Sequence, residues 1–317
     1  MTDLQVSPIA FGTWQFGGDW GAFDEREAIA AVRHARHLGV DLFDTAQAYG
    51  FGAAERLLGR ALGDELKHHR DDVVIATKGG LRMTEGGMVR DSSGEWLRHG
   101  LEQSLRSLGV DHVDLYQVHW PDPKTPFAET AGALQQLVDE GKIRHVGVSN
   151  HSTSQMAAFA LTRPVETLQS AYRLFRREIE AEIAPFVREH DIGLLVYGPL
   201  AHGLLSGTTD ERTTFADDDR RRDIPPSPGE TLRRNLEMVR ELDRFARERG
   251  RTTGQLAIAW TLAHPTVDVT IVGARRASHI EAGVGAADFE LSEEDLALID
   301  RITAGAVPVA APSPESV

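Results

Sequence analysis

The alternation of short apolar runs with longer amphipathic stretches is the feature that most constrains the fold of this 317-residue chain. Runs rich in β-branched residues recur along the sequence, and stretches with helical periodicity separate them. This alternation is typical of repeated strand–helix units around a parallel sheet. It predicts eight strands, at Ile9–Gly12, Asp41–Asp44, Val73–Thr77, Val113–Val118, His145–Val148, Thr167–Gln169, Gly193–Tyr197 and Val269–Val272.

The stretches between these runs predict helices, and several of them end in glycine, which suits the left-handed residue that closes many helices. The first strand lacks the GxGxxG turn that is typical of an open, doubly wound sheet. We therefore predict an α/β fold, a (β/α)8 TIM barrel that forms a single domain over residues 1–303. The predicted helices include Asp24–Leu38, Ala53–Leu62, Glu95–Leu108, Phe127–Glu140, Ser152–Leu161 and Arg177–Glu189.

Two segments interrupt the regular alternation. A polar stretch from Gly203 to Gly229 follows the seventh predicted strand, and a long loop at this point is expected to hang over the barrel rim as a substrate-side lid. A solvated insertion without a role explains the same stretch. Residues 304–317 are rich in alanine, proline and serine, and we expect them to form a flexible C-terminal tail.

The composition excludes several classes of protein. The formal net charge of −14 disfavours nucleic-acid and anionic-membrane partners, which attract basic surfaces. No run of 18 apolar residues is present, and the first residues lack the pattern of a secretory signal. Cysteine is absent, which excludes disulfides, thiolate metal sites and cysteine nucleophiles. We expect a cytoplasmic enzyme, and the sequence leaves its oligomeric state open.

Four chemically active side chains lie at or just after the ends of three successive predicted strands: Asp44, Tyr49, Lys78 and His119. The carboxyl ends of barrel strands carry the active sites of such folds. Each residue alone has a structural explanation, such as a turn cap for Asp44 or an interior histidine for His119. Their joint placement favours a catalytic site.

The four side chains suit the protonation of a substrate oxygen. Tyrosine has a pKa of about 10, so a nearby cation that stabilises the phenolate makes it a better proton donor near neutral pH. Lys78 supplies such a charge, and Asp44 opposes the tendency of a desolvated lysine to lose its proton. His119 is expected to donate a hydrogen bond that orients a carbonyl oxygen.

The sequence resembles the aldo-keto reductase family over nearly its whole length. The resemblance rests on motifs in family order: Leu42–Gly50 followed by Ala54–Glu55 and Leu58–Gly59, Ala76–Gly79, Leu105–Pro121, Gly141–Asn150, Val196–Leu200 with Gly203–Leu205, and Ile271–Arg275. It implies a barrel that transfers hydride from a nicotinamide cofactor, usually NADPH, to an aldehyde or ketone. It also implies that Tyr49 is the general acid, that Lys78 and Asp44 tune it, that His119 orients the carbonyl, and that no metal takes part.

The resemblance also implies a cofactor site along the barrel rim. Ser149, Asn150 and Gln169 match residues that bind the nicotinamide carboxamide, and Tyr197 matches the residue that stacks on the ring. Backbone amides near Leu200 would line the pyrophosphate, and the residues after the eighth strand would hold the 2′-phosphate. The complete set is Gly12, Thr13, Trp14, Asp44, Ser149, Asn150, Gln169, Tyr197, Gly198, Leu200, Gly203, Leu205, Gly273, Arg275, Arg276 and His279.

One region departs from the family pattern. Many relatives have Gln, Glu and Asn where His279, Ala282 and Gly283 stand, and those side chains hold the adenosine end. Arg275 and Arg276 still favour NADPH/NADP+ over NADH, because the arginine fork binds phosphate oxygens bidentately.

The substrate pocket is expected to be walled by aromatic residues, as is common for small-molecule sites. A structural role for Trp14 and Trp120 stays open. The expected lining residues are Trp14, Trp20, Tyr49, His119 and Trp120, around a small-molecule carbonyl substrate.

Two other functions are alternatives. One is a non-catalytic nicotinamide-binding barrel that senses redox state, similar to the auxiliary subunits of some potassium channels. The other is a metal-dependent hydrolase using His119 and Asp44, which is disfavoured because no further ligand-type residue follows at the predicted strand ends.

Overall fold

The computed structural model describes residues 4–18, 20–217, 219–223 and 230–309. Eight parallel strands close into a barrel in the order β1-β10-β9-β8-β7-β6-β3-β2. This topology confirms the predicted (β/α)8 fold. The barrel strands are β1 (Ile9–Gly12), β2 (Leu42–Asp44), β3 (Val74–Gly79), β6 (Val113–Val118), β7 (Ile143–Ser149), β8 (Thr167–Ala171), β9 (Gly193–Tyr197) and β10 (Val269–Gly273).

An antiparallel hairpin, β4 (Leu81–Thr84) and β5 (Gly87–Arg90), interrupts the strand–helix alternation directly after β3. These two strands are not among the eight predicted ones. Gly87, the first residue of β5 after the turn, has a φ of 104°, a conformation that glycine adopts without steric cost. The hairpin places Leu81 and Met88 over the carboxyl end of the barrel.

Helices surround the barrel and cover its strands. The first helix begins where the Asp24 carboxylate accepts hydrogen bonds from the backbone N–H groups of Arg26 and Glu27. The helices are α1 (Glu25–His37), α2 (Ala53–Ala61), α3 (Gly63–His68), α4 (Gly94–Leu108), α5 (Phe127–Asp139), α6 (Thr153–Ala160), α7 (Ile183–Glu189), α8 (Glu230–Glu248), α9 (Thr253–Leu262), α10 (Ala277–Val284) and α11 (Glu293–Thr303).

Several boundaries differ from the sequence prediction by one or two residues, and two of the differences, in the helix before β9 and in strand β8, need comment. The helix predicted over Arg177–Glu189 is a short 3-10 turn at Glu178–Glu180 followed by α7. Pro185 explains the later start, because proline lacks an N–H group and fits only the first turn of a helix. Strand β8 extends to Ala171, so Gln169 lies within the strand and not at its end.

The apolar core has two parts. A small cluster fills the inside of the barrel, and a larger one joins the outer faces of the strands to the helices. The inner cluster closes the lower part of the barrel, so polar side chains concentrate at the carboxyl ends of the strands. The inner cluster is Ala10, Leu42, Ala76, Leu115, Leu195, Val269 and Ile271.

The segment from residue 304 to residue 309, expected to belong to a flexible tail, packs against the protein. Val309 is buried, its N–H donates to Phe175 O, and its carbonyl accepts from Arg173 Nη2. Asn235 exchanges two hydrogen bonds with the Val307 backbone. Residues 310–317 lie outside the described residues, and a flexible tail there stays a prediction. None of the described helices combines the length and apolar character needed to cross a membrane.

Candidate active site

Asp44, Tyr49, Lys78 and His119 come together at the carboxyl end of the barrel. Lys78 Nζ lies 2.6 Å from Asp44 Oδ1 and 3.4 Å from Tyr49 OH. Asp44 ends β2 and Lys78 lies in β3, which pairs with β2 in parallel, so their side chains meet above the inner apolar cluster. His119 directly follows β6, the next strand of the barrel.

Lys78 is an ammonium group removed from water. It is 1% exposed and also donates a hydrogen bond of 2.9 Å to Thr45 O. Burial lowers the pKa of Lys78, and the Asp44 carboxylate opposes that shift. Because the ion pair is buried, its field is poorly screened and acts strongly on the neighbouring Tyr49 hydroxyl.

Tyr49 and His119 face each other edge to face, with ring centroids 5.7 Å apart. Burial lowers the pKa of His119 well below its usual range, and the nearby Lys78 charge lowers it further. His119 is therefore neutral at pH 7. Its Nδ1 atom is buried and has no hydrogen-bond partner among the described residues.

A cavity of about 560 Å³ opens above this cluster. The expected pocket residues Trp14, Trp20, Tyr49, His119 and Trp120 all line it. Most of the expected cofactor residues line it as well: Gly12, Thr13, Trp14, Asp44, Ser149, Asn150, Gln169, Tyr197, Gly198, Leu200, Gly203, Gly273, Arg275 and His279.

The amide groups of the site are held by hydrogen bonds. Asn150 Nδ2 donates to His119 O at 3.2 Å, and its Oδ1 accepts from Tyr197 OH at 2.9 Å. Asn150 adopts a φ of 61°, which asparagine tolerates better than most residues. Gln169 Nε2 donates to Asp44 Oδ2 at 2.7 Å.

Leu205, Arg276 and Lys78 do not line the cavity. Leu205 is buried in the core, and its N–H donates to Leu200 O. Arg276 points to the surface, where its Nε lies 3.2 Å from Glu27 Oε2. Lys78 lies behind the wall that Asp44 and Tyr49 form.

The residues that depart from the family pattern, His279, Ala282 and Gly283, lie at the end of the cavity near α10. Arg275 lines the same end. Arg275 Nη1 donates to Trp20 O at 3.1 Å, and burial lowers its pKa. Burial is the largest cause that lowers the pKa of His279. The charge of Arg276 lowers it further, and that of Arg275 has a smaller effect in the same direction.

The loop after β9 lies along the cavity. The sequence predicted a loop over the barrel rim but did not predict its contacts. Trp20 forms an antiparallel bridge with Asp219, and Arg221 pairs with Asp219 while its guanidinium lies 5.3 Å from the Trp20 ring centroid. Residues 224–229 of this loop lie outside the described residues.

Sequence reasoning missed several lining residues. Gln15 directly follows the recognised Gly12–Trp14 motif, and a Cβ at Gly273 would lie 1.8 Å from Gln15 Nε2. Arg220 lies over the Trp14 ring, 5.8 Å from its centroid. The basic run at residues 220–222 was a signal for such contacts, but nothing in the sequence places it over the cavity. The missed residues include Gln15, Leu81, Met88, His202, Phe215, Arg220 and Arg221.

Acidic and histidine side chains are the ligands that a metal site in this chain would need. The described residues contain no cluster of three or more that could hold a metal ion. The structure therefore gives no support to the metal-dependent hydrolase alternative.

Comparison with known proteins agrees with this geometry. The model of the Aldo/keto reductase family matches residues 8–304. Aldo-keto reductase YhdN of Bacillus subtilis is 39% identical over 303 residues, covering 95% of this chain and 91% of the relative. Aldo-keto reductase yakc [NADP(+)] of Schizosaccharomyces pombe is 32% identical over 293 residues, covering 91% and 86%.

A solved structure shows the same fold. The glycerol dehydrogenase AKR11B4 of Gluconobacter oxydans superposes with a TM-score of 0.88 at 36% identity, covering 98% of this chain and 95% of that chain. These relatives carry enzyme names and lend no support to the channel-subunit alternative. The barrel, the four converging side chains and the match over residues 8–304 together show that the chain is an oxidoreductase of the aldo/keto reductase family.

Proposed function

We propose that this protein reduces aldehydes or ketones with NADPH and that Tyr49 donates the proton to the substrate oxygen. The observation that carries this proposal is the distance of 3.4 Å between Tyr49 OH and the buried Lys78 ammonium, itself paired with Asp44. A cation at this distance stabilises phenolate, so Tyr49 releases its proton more readily.

His119 and Tyr49 act on the same oxygen. Because His119 is neutral, it donates a ring N–H to the carbonyl oxygen without adding a positive charge beside Lys78. The ring centroids of Tyr49 and His119 are 5.7 Å apart. The two groups hold the oxygen between them and stabilise the negative charge that develops on it.

The residues of the cavity fit a nicotinamide dinucleotide. The cavity extends from Tyr49 to His279, and Gln15 Oε1 is buried beside Gly273 with no hydrogen-bond partner among the described residues. Ser149, Asn150 and Gln169 would hold the carboxamide, and Tyr197 would support the ring. When bound, the cofactor supplies the hydride that reduces the carbonyl carbon.

The preference for NADPH rests on the arginines near α10. Arg275 lines the cavity, and the pair between Arg276 and Glu27 is exposed, so it contributes only about 0–1 kcal/mol and leaves Arg276 available to a phosphate. The name of the Schizosaccharomyces pombe relative, which includes NADP(+), supports this preference.

Steady-state oxidation of NADPH in the presence of 4-nitrobenzaldehyde tests the role of Tyr49. Tyr49→Phe should lower kcat by about 10²- to 10⁴-fold, the usual contribution of a general acid. Tyr172→Phe is the matched control, because Tyr172 OH bonds Glu180 away from the site. Equal rates for native protein and Tyr49→Phe would remove Tyr49 from the mechanism.

The ratio of kcat/KM for NADPH to kcat/KM for NADH tests the cofactor preference. The native ratio should exceed one, and Arg275→Gln should lower it by about tenfold or more, because one charge-assisted contact to phosphate is lost. A ratio that Arg275→Gln leaves unchanged would contradict the role of Arg275.

A further inference from the structure

The β4–β5 hairpin contributes to the active-site cavity both directly and through a neighbouring residue. Leu81 and Met88 line the cavity. Arg90, the last residue of β5, does not line it. Its guanidinium instead lies 5.2 Å from the centroid of the Trp120 ring, which does. Nothing in the proposed reaction assigns a role to this arginine.

The backbone of Arg90 is fixed at the base of the hairpin. Arg90 pairs with Leu81 across the two strands, and the Asp91 N–H donates to Gly80 O at 3.0 Å. Gly80 directly follows β3, a strand of the barrel. The arginine therefore extends from a well-anchored part of the barrel rim, and not from the exposed tip of the hairpin.

The Arg90 guanidinium contacts the segment after β6 in two ways. Its cation lies over the Trp120 indole, and Nη1 donates a hydrogen bond of 3.1 Å to Pro121 O. Arg90 is partly buried, and a cation–π contact is stronger where water is displaced from it. One planar group thus holds both the side chain of Trp120 and the backbone that follows it.

Trp120 depends on this contact more than the other pocket tryptophans do. The ring centroids of Trp14 and Trp20 are 5.1 Å apart, and Trp14 also stacks on Tyr49 at 6.3 Å. Trp120 is partly exposed and has no ring–ring contact within the part of the chain that the structure describes. Among the described residues, Arg90 is the charged or aromatic group that lies against its ring.

His119, the neighbour of Trp120 in sequence, is held independently of Arg90. Its backbone N–H donates to Gly79 O at 2.9 Å, and its carbonyl accepts a hydrogen bond of 3.2 Å from Asn150 Nδ2. Loss of the Arg90 side chain should therefore free the indole and leave the imidazole in place.

We propose that Arg90 is a positioning residue that fixes the Trp120 indole as a wall of the substrate pocket and so sets the affinity for aromatic carbonyl substrates. This inference rests on the proposed reduction of carbonyls at Tyr49. An indole held in one orientation presents its face to an aromatic ring, and such aromatic pairs contribute more than the area they bury. A small aliphatic aldehyde makes no such contact, so Arg90 distinguishes the two kinds of substrate.

Steady-state reduction of 4-nitrobenzaldehyde and of propanal, each with saturating NADPH, tests the proposal. Arg90→Met should raise KM for 4-nitrobenzaldehyde by about fivefold or more, the factor that one cation–π contact provides. KM for propanal, and kcat for both aldehydes, should change by less than about twofold, because only ground-state binding of the aromatic ring is lost. Arg90→Lys keeps a cation for the ring and should restore part of the affinity.

Arg82→Met is the matched control. Arg82 lies on the same hairpin with its guanidinium 5.5 Å from the centroid of the Trp96 ring, and Trp96 does not line the active-site cavity. This variant makes the same chemical change and should leave both KM values unchanged. In a Trp120→Leu background, Arg90→Met should raise KM no further, because the two residues then no longer interact.

A measurement without substrate separates this proposal from the proposed function. Fluorine NMR of protein labelled with 5-fluorotryptophan reports on each of the five tryptophans, and single replacements by phenylalanine assign the resonances. Arg90→Met should shift or broaden the Trp120 resonance, and Arg82→Met that of Trp96. An unchanged Trp120 resonance in Arg90→Met would overturn the proposal whether or not the protein reduces carbonyls.

The kinetic outcomes are equally separable. If the native protein reduces 4-nitrobenzaldehyde and Arg90→Met has the same KM, the proposal is wrong and the proposed function stands. A fall in kcat for both aldehydes, or an equal rise in KM for propanal, would also overturn the proposal, since a general loss of structure has that result. Circular dichroism checks folding, and Arg90→Gln takes the place of Arg90→Met under the same criteria if the latter does not fold.

Discussion

The Asp44 carboxylate joins Lys78 to Gln169. Its Oδ1 lies 2.6 Å from Lys78 Nζ, and its Oδ2 accepts a hydrogen bond of 2.7 Å from Gln169 Nε2. Because a carboxylate only accepts hydrogen bonds, Gln169 must present its NH₂ group to Asp44 and keep its carbonyl oxygen for the cavity that it lines. Asp44 therefore fixes the orientation of an amide as well as the charge of a lysine.

Replacing Gln169 with glutamate should make stability depend on pH. Gln169→Glu places a second carboxyl next to Asp44, and two adjacent carboxylates raise the pKa of the pair. The folded variant then keeps a proton that the unfolded chain loses above about pH 4, so its free energy of unfolding falls as pH rises. Urea unfolding should show a loss of about 2 kcal/mol between pH 5 and pH 8, beyond any change in the native protein.

Gln169→Met is the matched control for this experiment. It removes the hydrogen bond without adding a charge, so we expect a loss of about 1 kcal/mol that is the same at both pH values. Equal pH dependence in the two variants would mean that residue 169 does not face Asp44.

His119 should destabilise the folded protein in mild acid. Its pKa is lowered well below 6.5 in the folded state, so below pH 6.5 the unfolded chain binds one more proton. As the pH falls below 6.5, protonation of this residue in the unfolded chain should therefore lower the free energy of unfolding by up to about 1.4 kcal/mol per pH unit. Urea unfolding at pH 7, 6 and 5 should show that the free energy of unfolding falls less steeply with decreasing pH in His119→Gln than in the native protein.

His151 provides a comparison, because burial lowers its pKa to about 4. His151→Gln should also flatten the acid dependence, over the range from pH 6.5 to about 4. If native protein and His119→Gln lost stability in parallel, His119 would not be held neutral by its surroundings.

Gly79 should not tolerate a side chain. A Cβ at this position in β3 would lie 1.9 Å from Tyr116 OH, which is buried and donates a hydrogen bond to Leu97 O. Gly79→Ala should lower the free energy of unfolding by about 1–3 kcal/mol, the usual cost of overpacking. Because Gly79 follows Lys78, kcat should fall as well.

Gly132 is the contrasting position. It lies inside α5, and a Cβ there would meet nothing within 4 Å. Gly132→Ala should raise the free energy of unfolding by up to about 1 kcal/mol, because alanine favours the helix over glycine. Destabilisation by Gly132→Ala, or none by Gly79→Ala, would contradict the packing described at that site.

The effect of shortening the chain should depend on whether Val309 is kept. A chain that ends at Gly305 lacks the Val309 carbonyl and leaves the fully buried Arg173 without that acceptor. Chemical unfolding should show a loss of about 1.5–3 kcal/mol, the usual contribution of a hydrogen bond to a charged group. A chain that ends at residue 311 keeps these contacts and should unfold like the native protein, to within about 0.5 kcal/mol. Similar losses in both would show that Val309 is not the important contact.

The barrel and its four central side chains could be predicted from the amino-acid sequence alone. Strand and helix periodicity are local properties, so the eight barrel strands could be read directly, with boundaries such as Val113–Val118 and Gly193–Tyr197 matched in full. The placement of Asp44, Lys78 and His119 followed as well, because parallel strands bring their carboxyl ends to the same rim.

The contacts between distant segments could not be predicted in this way and depend on the folded chain. The hydrogen bond from Gln169 to Asp44 spans 125 residues, Arg276 turns to Glu27 and away from the cavity, and Val309 closes over Arg173. Side-chain direction and loop path depend on packing between segments far apart in sequence, and no local periodicity encodes that packing.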